Sequence, residues 1–352
     1  MRKATTLFSI AMLLLSGCQK GLDREAAEGA GRQCQITISV SNPATRAVGV
    51  NADGESAVNG LQLFLFDGDS LAATASSDSS SCSVTCKPGQ YRSFILANAP
   101  LIDSASIASL SAFRNTVHHL ADNRIDSLVA GAETEITVSA ASYSMAVQAR
   151  RYIAKVVVEK VTKDLSEMGA PHNAKTLHVN SVYMTNVVGG VRYFAEDTVD
   201  VWYNRMGYAP SGVDRLVRDA VDADVDSVLE TEHTFYVLPN PAVRDTTTAP
   251  WCPRHTRLVL DATFGGEPCY YVVNMPVIER NRVYRIKDIV IRRGGSDNEE
   301  EIADDDRVRI IVGPGLDAWA DVSEELMPEV DLAVRINPVV DEYVEGDYYE
   351  DF

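Results

Sequence analysis

The sequence predicts an all-β protein made of β-sandwiches, and three observations carry that expectation. Short apolar-alternating or β-branched runs recur along most of the 352 residues, separated by Gly, Pro and Asp turns. Hydrophobic residues make up 45% of the chain, enough to fill a core of this size. The best helical candidate in the chain is a single stretch, SASIASLSAFRNTVHHLADNRIDSL, and it is expected to form one or two short helices in a crossover. Regular short strands with such turns point to sandwiches rather than to a parallel sheet wrapped in helices.

The elements follow in order. MRKATTLFSIAMLLLSGC has Arg2 and Lys3, an apolar run from residue 7 to 15, and small residues before Cys18. That is the layout of a secretory signal peptide, expected over residues 1–17. The run falls short of the roughly 20 residues needed to span a bilayer. LSGC resembles the bacterial lipobox, which implies lipid on Cys18 after cleavage before it; several acyl chains anchor firmly where one binds marginally. Residues 19–33 are small and polar, as in a flexible tether.

CQITISV then alternates, with Ile36, Ile38 and Val40 on one face. Pro43 stops the strand, and Arg46 follows in the small, polar loop NPATRAVGV, a setting open to proteolysis. In LQLFLFD both faces are apolar, so this strand is expected at the centre of a sheet, ending in the turn Asp67-Gly68-Asp69. SCSVTC, a Pro-Gly turn and the strand at residues 91–97 come next, and ETEITVSAA returns to strand after the helical crossover. A second set of strands starts near Arg151 with YIAKVVVEKV and KTLHVNSVYMTNV. Residues 192–228 read as an irregular insertion with one helical turn set. Five further strands follow, in HTFYVLPNP, HTRLVLDATFGG, PCYYVVNMPV, RVYRIKDIVIRRGG and RVRIIVGPG. The boundary between the two sets is expected near residues 146–150.

Charge and chemistry exclude several classes. A net charge of -18 disfavours nucleic acid, whose phosphates attract clustered Lys and Arg. The chain lacks a nucleophile elbow, a phosphate-binding glycine loop and HExxH, so no catalytic residue, cofactor or metal is assigned and the reading is non-enzymatic. His118 and His119, placed on the crossover helix, would point about 100° apart and are poor joint ligands. SDNEEEIADDDR carries Asp304, Asp305 and Asp306 without the spacing or glycine of a calcium loop. Trp202, Trp251 and Trp319 suit a core better than a glycan platform. Cys82 and Cys86 would stand about 13 Å apart on one strand face, too far to bridge. Cys252 and Cys269 flank the strand RLVLDATF and form a candidate disulfide across a hairpin, two free thiols being the alternative.

The two ends match each other. Beyond the last core strand and the connector SEELMPEV, DLAVRINPVV places Leu332, Val334 and Ile336 on one face, as Ile36, Ile38 and Val40 are placed near the start. Burying three such side chains contributes about 4–9 kcal/mol before ordering costs. That suffices to seat a strand in a sheet groove by β-augmentation. Pattern alone leaves two readings open: each strand stays in its own sandwich, or one is exchanged for the other.

The ordered layout resembles the Bacteroidales fimbrillins, the FimA/Mfa1-like subunits of type V pili. The residues that carry the resemblance are LSGC (15–18), TRA (45–47), VNGLQLFLFD (58–67), PGQYRSFILAN (88–98), RYIAKVVV (151–158), FYVLPNP (235–241) and ERNRVYRIKDIVIRRGG (279–295). FYVLPNP departs from the aromatic-Glu-Asn version the family shows there.

The resemblance implies two transthyretin-like β-sandwich domains with a short helical insertion, over residues 47–148 and 149–325. It also implies a lipid tether and removable strand at 18–46 and a C-terminal extension at 326–352. An outer-membrane lipoprotein precursor is cut by an arginine-specific protease at Arg46–Ala47, and its N-terminal strand leaves. The groove then takes a donor strand, here Leu332, Val334 and Ile336, from another fimbrial subunit. The product is a cell-surface fimbrium that supports adhesion, with no cofactor. Two other readings stay open: an uncleaved fimbrial anchor or tip adhesin, and a surface glycan-binding lipoprotein.

Overall fold

A computed structural model describes residues 33–40, 54–139, 142–195, 198–203, 212–246, 252–303, 307–312 and 317–318. In the N-terminal half the strands are β1 (Cys34–Val40), β2 (Leu61–Asp67), β3 (Ser70–Ser77), β4 (Ser81–Cys86), β5 (Gly89–Ala97), β6 (Val117–His119), β7 (Ala130–Val138), β8 (Ser142–Val147) and β9 (Arg150–Arg151). The C-terminal half adds β10 (Ala154–Val158), β11 (Val161–Lys163), β12 (Leu177–Thr185), β13 (Val187–Arg192), β14 (Val199–Tyr203) and β15 (Arg218–Asp224). It continues with β16 (Val228–Leu229), β17 (His233–Val237), β18 (Arg257–Phe264), β19 (Glu267–Asn274), β20 (Arg282–Ile291), β21 (Val308–Val312) and β22 (Asp317–Ala318). The α-helices among the described residues are two single turns, α1 (Leu110–Arg114) and α2 (Asp214–Val217). The fold is all-β.

Two sheets enclose the N-terminal core. One runs β4-β1-β8, the other β3-β2-β5-β7-β9. Ile36, Ile38 and Val40 from the first meet Leu61, Leu63, Leu65, Ile95 and Ile136 from the second. The doubly apolar β2 is central, as its sequence predicts. Its leucines face this core, while Phe64 and Phe66 turn the other way, onto Phe94 and Phe113 under α1. Gly68, with φ near +60°, makes the β2–β3 turn that few other residues enter without strain.

The C-terminal core lies between a seven-stranded sheet and a four-stranded one. The first runs β16-β11-β20-β10-β17, with β21 and β22 also on β20; the second runs β15-β12-β18-β19. A third sheet, β14-β13-β6, joins the halves by pairing β6 with β13.

Three expectations change. The crossover holds one five-residue α-helix, within the one or two short helices expected, capped by the Ser109 side chain on the Ala112 N–H; what changes is the place of the two histidines. His118 and His119 lie beyond it on β6, where alternation buries the first and exposes the second. The described residues of the insertion at 192–228 include β14, β15 and the start of β16, with α2 before β15. Cys252 and Cys269 are not bridged to each other: the β18–β19 register sets Cys269 opposite Ala262, while Cys252 precedes β18 and lies outside that ladder. Cys252 instead donates to the Thr246 carbonyl, at 2.6 Å.

Candidate functional site

β1 is the middle strand of its sheet. It runs antiparallel to β4, from Cys34 opposite Cys86 to Ser39 opposite Ser81. It runs parallel to β8, from Gln35 beside Ser142 to Val40 beside Val147. Among the described residues, β4 and β8 have β1 as their only sheet partner. Alternation does the rest. Ile36 and Ile38 are fully buried at 0% exposure, and Cys34 and Val40 are nearly so. Gln35 is exposed, with Thr37 and Ser39 half-buried on the same face. Thr37 and Ser83 hydroxyls hydrogen-bond across the pair at 2.8 Å, and the Val40 N–H donates to the Ser80 carbonyl at 2.9 Å.

This arrangement can do one thing an ordinary edge strand cannot. Withdrawing β1 would open a slot with unpaired backbone on both walls and three or four apolar pockets in its floor. Unmade backbone bonds and exposed apolar surface both cost free energy, so β1 leaves readily only if another strand takes its place. A segment with the same alternation can occupy the slot. The structure thus brings Ile36, Ile38 and Val40 together as one face. Cys18, Arg46, Ala47, Leu332, Val334 and Ile336 lie outside the described residues, as do Asp304, Asp305, Asp306, Trp251 and Trp319. Trp202 packs half-buried against the C-terminal core.

The sequence did not point to what holds the chain just past residues 41–53. The Glu55 side chain is buried and accepts hydrogen bonds from Lys155 Nζ at 2.7 Å and from the Tyr236 hydroxyl. Arg151 Nη2 donates to the Glu55 carbonyl oxygen at 3.1 Å. Burial, and then the bond to Glu55, push the Tyr236 hydroxyl above its ordinary range. Burial lowers the Arg151 guanidinium, opposed by the Glu55 charge. The cluster pins the segment after 41–53 to strands of the other half. Its one sequence signal was a lysine inside the apolar run YIAKVVV.

His118 is a core histidine. Its Nε2 accepts from Asn123 Nδ2 at 3.2 Å, so Nδ1 carries the proton and faces Asp122 at 3.4 Å. Tyr152 and Tyr193 pack on its ring, and burial pushes its pKa down, against the pull of Asp122. Among the described residues, no three His, Cys, Asp or Glu side chains are grouped to hold a metal. In the acidic loop, Glu301 accepts from Ser296 Oγ at 2.7 Å and from Arg307 at 3.1 Å.

The model of one family, the major fimbrial subunit protein FimA, matches residues 34–131, from the start of β1 into β7. Among solved structures, a fimbrilin from Porphyromonas gingivalis superposes with a TM-score of 0.59 at 12% identity, over 83% of this chain and 99% of that one. A protein from Bacteroides eggerthii assigned to cell adhesion gives 0.60 at 17%, over 82% and 97%. Another so assigned, from Parabacteroides distasonis, gives 0.59 at 15%, over 82% and 99%. At these identities the likeness to the solved structures is one of fold. No curated protein matches. The resemblance to the fimbrillins therefore stands on two findings: the family match at 34–131 and a fold shared with fimbrilin. The matched family is one of fimbrial subunits, and these neighbours are a fimbrilin and proteins assigned to cell adhesion.

Proposed function

We propose that this chain, a protein of fimbrial-subunit type by its family match and fold, polymerises by exchanging β1 for a strand of another subunit. The observation that carries the reading is the position of β1: it is central and buried, and it is the sole partner of both β4 and β8 among the described residues. In this reading the precursor is lipidated on Cys18 and reaches the outer membrane. An arginine-specific protease cuts at Arg46–Ala47, between β1 and the Glu55 cluster. The cluster keeps the new N-terminal segment on the body while β1 departs with the tether.

Leu332, Val334 and Ile336 from another subunit then replace Ile36, Ile38 and Val40. Proline sets this register. With Ile336 in the Val40 pocket, Pro338 falls past the end of the strand, much as Pro43 follows β1. Shifted by two residues, Pro338 would take the place of Val40 and forfeit the N–H that bonds Ser80. The exchange makes no covalent bond and uses no cofactor.

Arg46→Ala tests the reading. The expected product is lipidated monomer with β1 in place, seen as the loss of the high-mass ladder in unheated SDS gels. Normal polymers from that variant overturn it. N-terminal sequencing of the surface-assembled wild type is expected to start at Ala47; a start at Cys18 identifies an uncleaved anchor instead.

A further inference from the structure

The pairing of β1 with β4 places Cys34 directly opposite Cys86, with both side chains buried in the same core. The ladder class of this pair follows from the Val40–Ser80 hydrogen bond. Bonded pairs recur at every second position of an antiparallel ladder, which makes Cys34/Cys86 one of them, with Cα atoms about 5.5 Å apart. A disulfide spans Cα separations of about 4.4–6.8 Å and Cβ separations of about 3.5–4.5 Å, so closing the bridge draws together Cβ atoms that stand about 5 Å apart in a bonded pair. Cys82 is opposite Ile38, two bonded pairs away, and Cys269 belongs to the C-terminal core. Cys86 is thus the described thiol in position for Cys34. Both are thiols in this structure. Burial first, and then the neighbouring Cys34, raise the Cys86 thiol pKa.

The geometry points to a Cys34–Cys86 disulfide that latches the removable strand to the body of the precursor. The link itself stands on the β1–β4 register; its consequence for assembly rests on the strand-exchange reading above. Its formation balances simply. One thiolate attacks the disulfide of a thiol oxidant in the exported compartment, giving a mixed disulfide and releasing a thiol. The second thiolate displaces the remaining oxidant thiol. Two protons and two electrons leave the pair, and the oxidant ends as two thiols. A dithiol reductant reverses the step.

The latch would belong to the precursor alone. In the register that keeps Pro338 outside the groove, the donor residue at the Cys34 position is Val330, which carries no sulfur. After the cut at Arg46, a linked β1 stays bound through its sulfur and keeps the groove filled. Proteolysis would then be necessary without being sufficient, and a reducing step would license exchange.

The test uses the full-length folded precursor treated with oxidised glutathione, followed by alkylation and peptide mass spectrometry without reductant. The expected product is lighter by two hydrogens, with the Cys34 and Cys86 peptides joined. After limited cleavage at Arg46, the N-terminal fragment is expected to stay attached in urea until dithiothreitol releases it, and assembly is expected to start only then. C34S and C86S each lose the link and release the fragment without reductant, while C82S keeps it. Full alkylation of Cys34 and Cys86 after oxidation, or a Cys82–Cys86 bridge, overturns the link and leaves strand exchange untouched. A link that forms while assembly ignores reductant overturns the latch. Failure of cut, reduced protein and of cut C34S to assemble overturns strand exchange while the link stands.

Discussion

β1 and β20 are both buried strands in the interior of a sheet, yet they are held differently. β20 pairs with β10 and β11 along one side and with β21 and β22 along the other, and β10 and β11 have further partners in β17 and β16. β1 has two neighbours, and among the described residues neither has another partner in its sheet. Removing β20 would dismantle a seven-stranded sheet. Removing β1 would leave a slot with two intact walls backed by the five-stranded sheet. Burial alone therefore does not decide whether a strand is permanent. What matters is how many other pairings depend on it, and whether an equivalent segment can restore them.

Substitutions in the two strands should separate these roles. Ile289→Asp puts an unpaired charge into the centre of β20 and is expected to cost more than about 4 kcal/mol, enough to abolish soluble protein; yield and far-UV circular dichroism check this. Glu55→Ala leaves Lys155 buried without its carboxylate, an expected loss of about 3–5 kcal/mol in urea denaturation. Glu55→Ala combined with Lys155→Met should recover most of that loss, because the orphaned charge is gone. Ile38→Ala opens a cavity in the N-terminal core and is expected to cost about 2–5 kcal/mol in the uncut precursor. The comparison is sharpest here: if β1 is exchanged, polymer assembled from this variant should melt like wild type, whereas the same loss in precursor and polymer would mean that β1 never leaves.

Titration gives the smaller effects. Burial keeps His118 neutral, with a folded-state pKa below that of the unfolded chain. As pH falls through about 6.5, the unfolded state takes up a proton that the folded state refuses, so stability declines toward acid. The urea midpoint should fall between pH 7.5 and 5.5, and less so in His118→Asn. His178 has the opposite sign. Hydrogen bonding to Asp224 first, and also to Asp222, raises its pKa. Its contribution is fully present below the unfolded value and is lost as pH rises through the folded one. Because the group is about a third exposed and its partners Asp222 and Asp224 are exposed, solvent screens the pair and the shift of the midpoint in His178→Gln should be the smallest of the set.

How much of this was legible in the sequence depended on side-chain size and on range. β1 and β2 were visible because large apolar residues alternate or cover both faces. β3, SLAATASS, was not, since alternating alanine with serine and threonine gives little contrast. β8 was missed for a similar reason: Tyr143, Met145 and Val147 alternate, but only Val147 is buried, and the run sits beside the expected boundary. The result is that the sequence pointed to β1 but not to one of the two walls that hold it. His118 was assigned to a helix because the whole segment around it reads as helical; one turn forms, and tertiary pairing with β13 drew the following residues into a strand.

By itself, the sequence determined the all-β class and the apolar face of Ile36, Ile38 and Val40. These are local patterns, and the backbone period that reads them is a property of a few consecutive residues. Only the tertiary structure decided that β1 lies between β4 and β8, that Cys34 faces Cys86, and that Glu55 meets Lys155. Each of those contacts joins residues about fifty to a hundred positions apart. Their partners are chosen by strand register and by burial of the whole core, which no short window of sequence encodes.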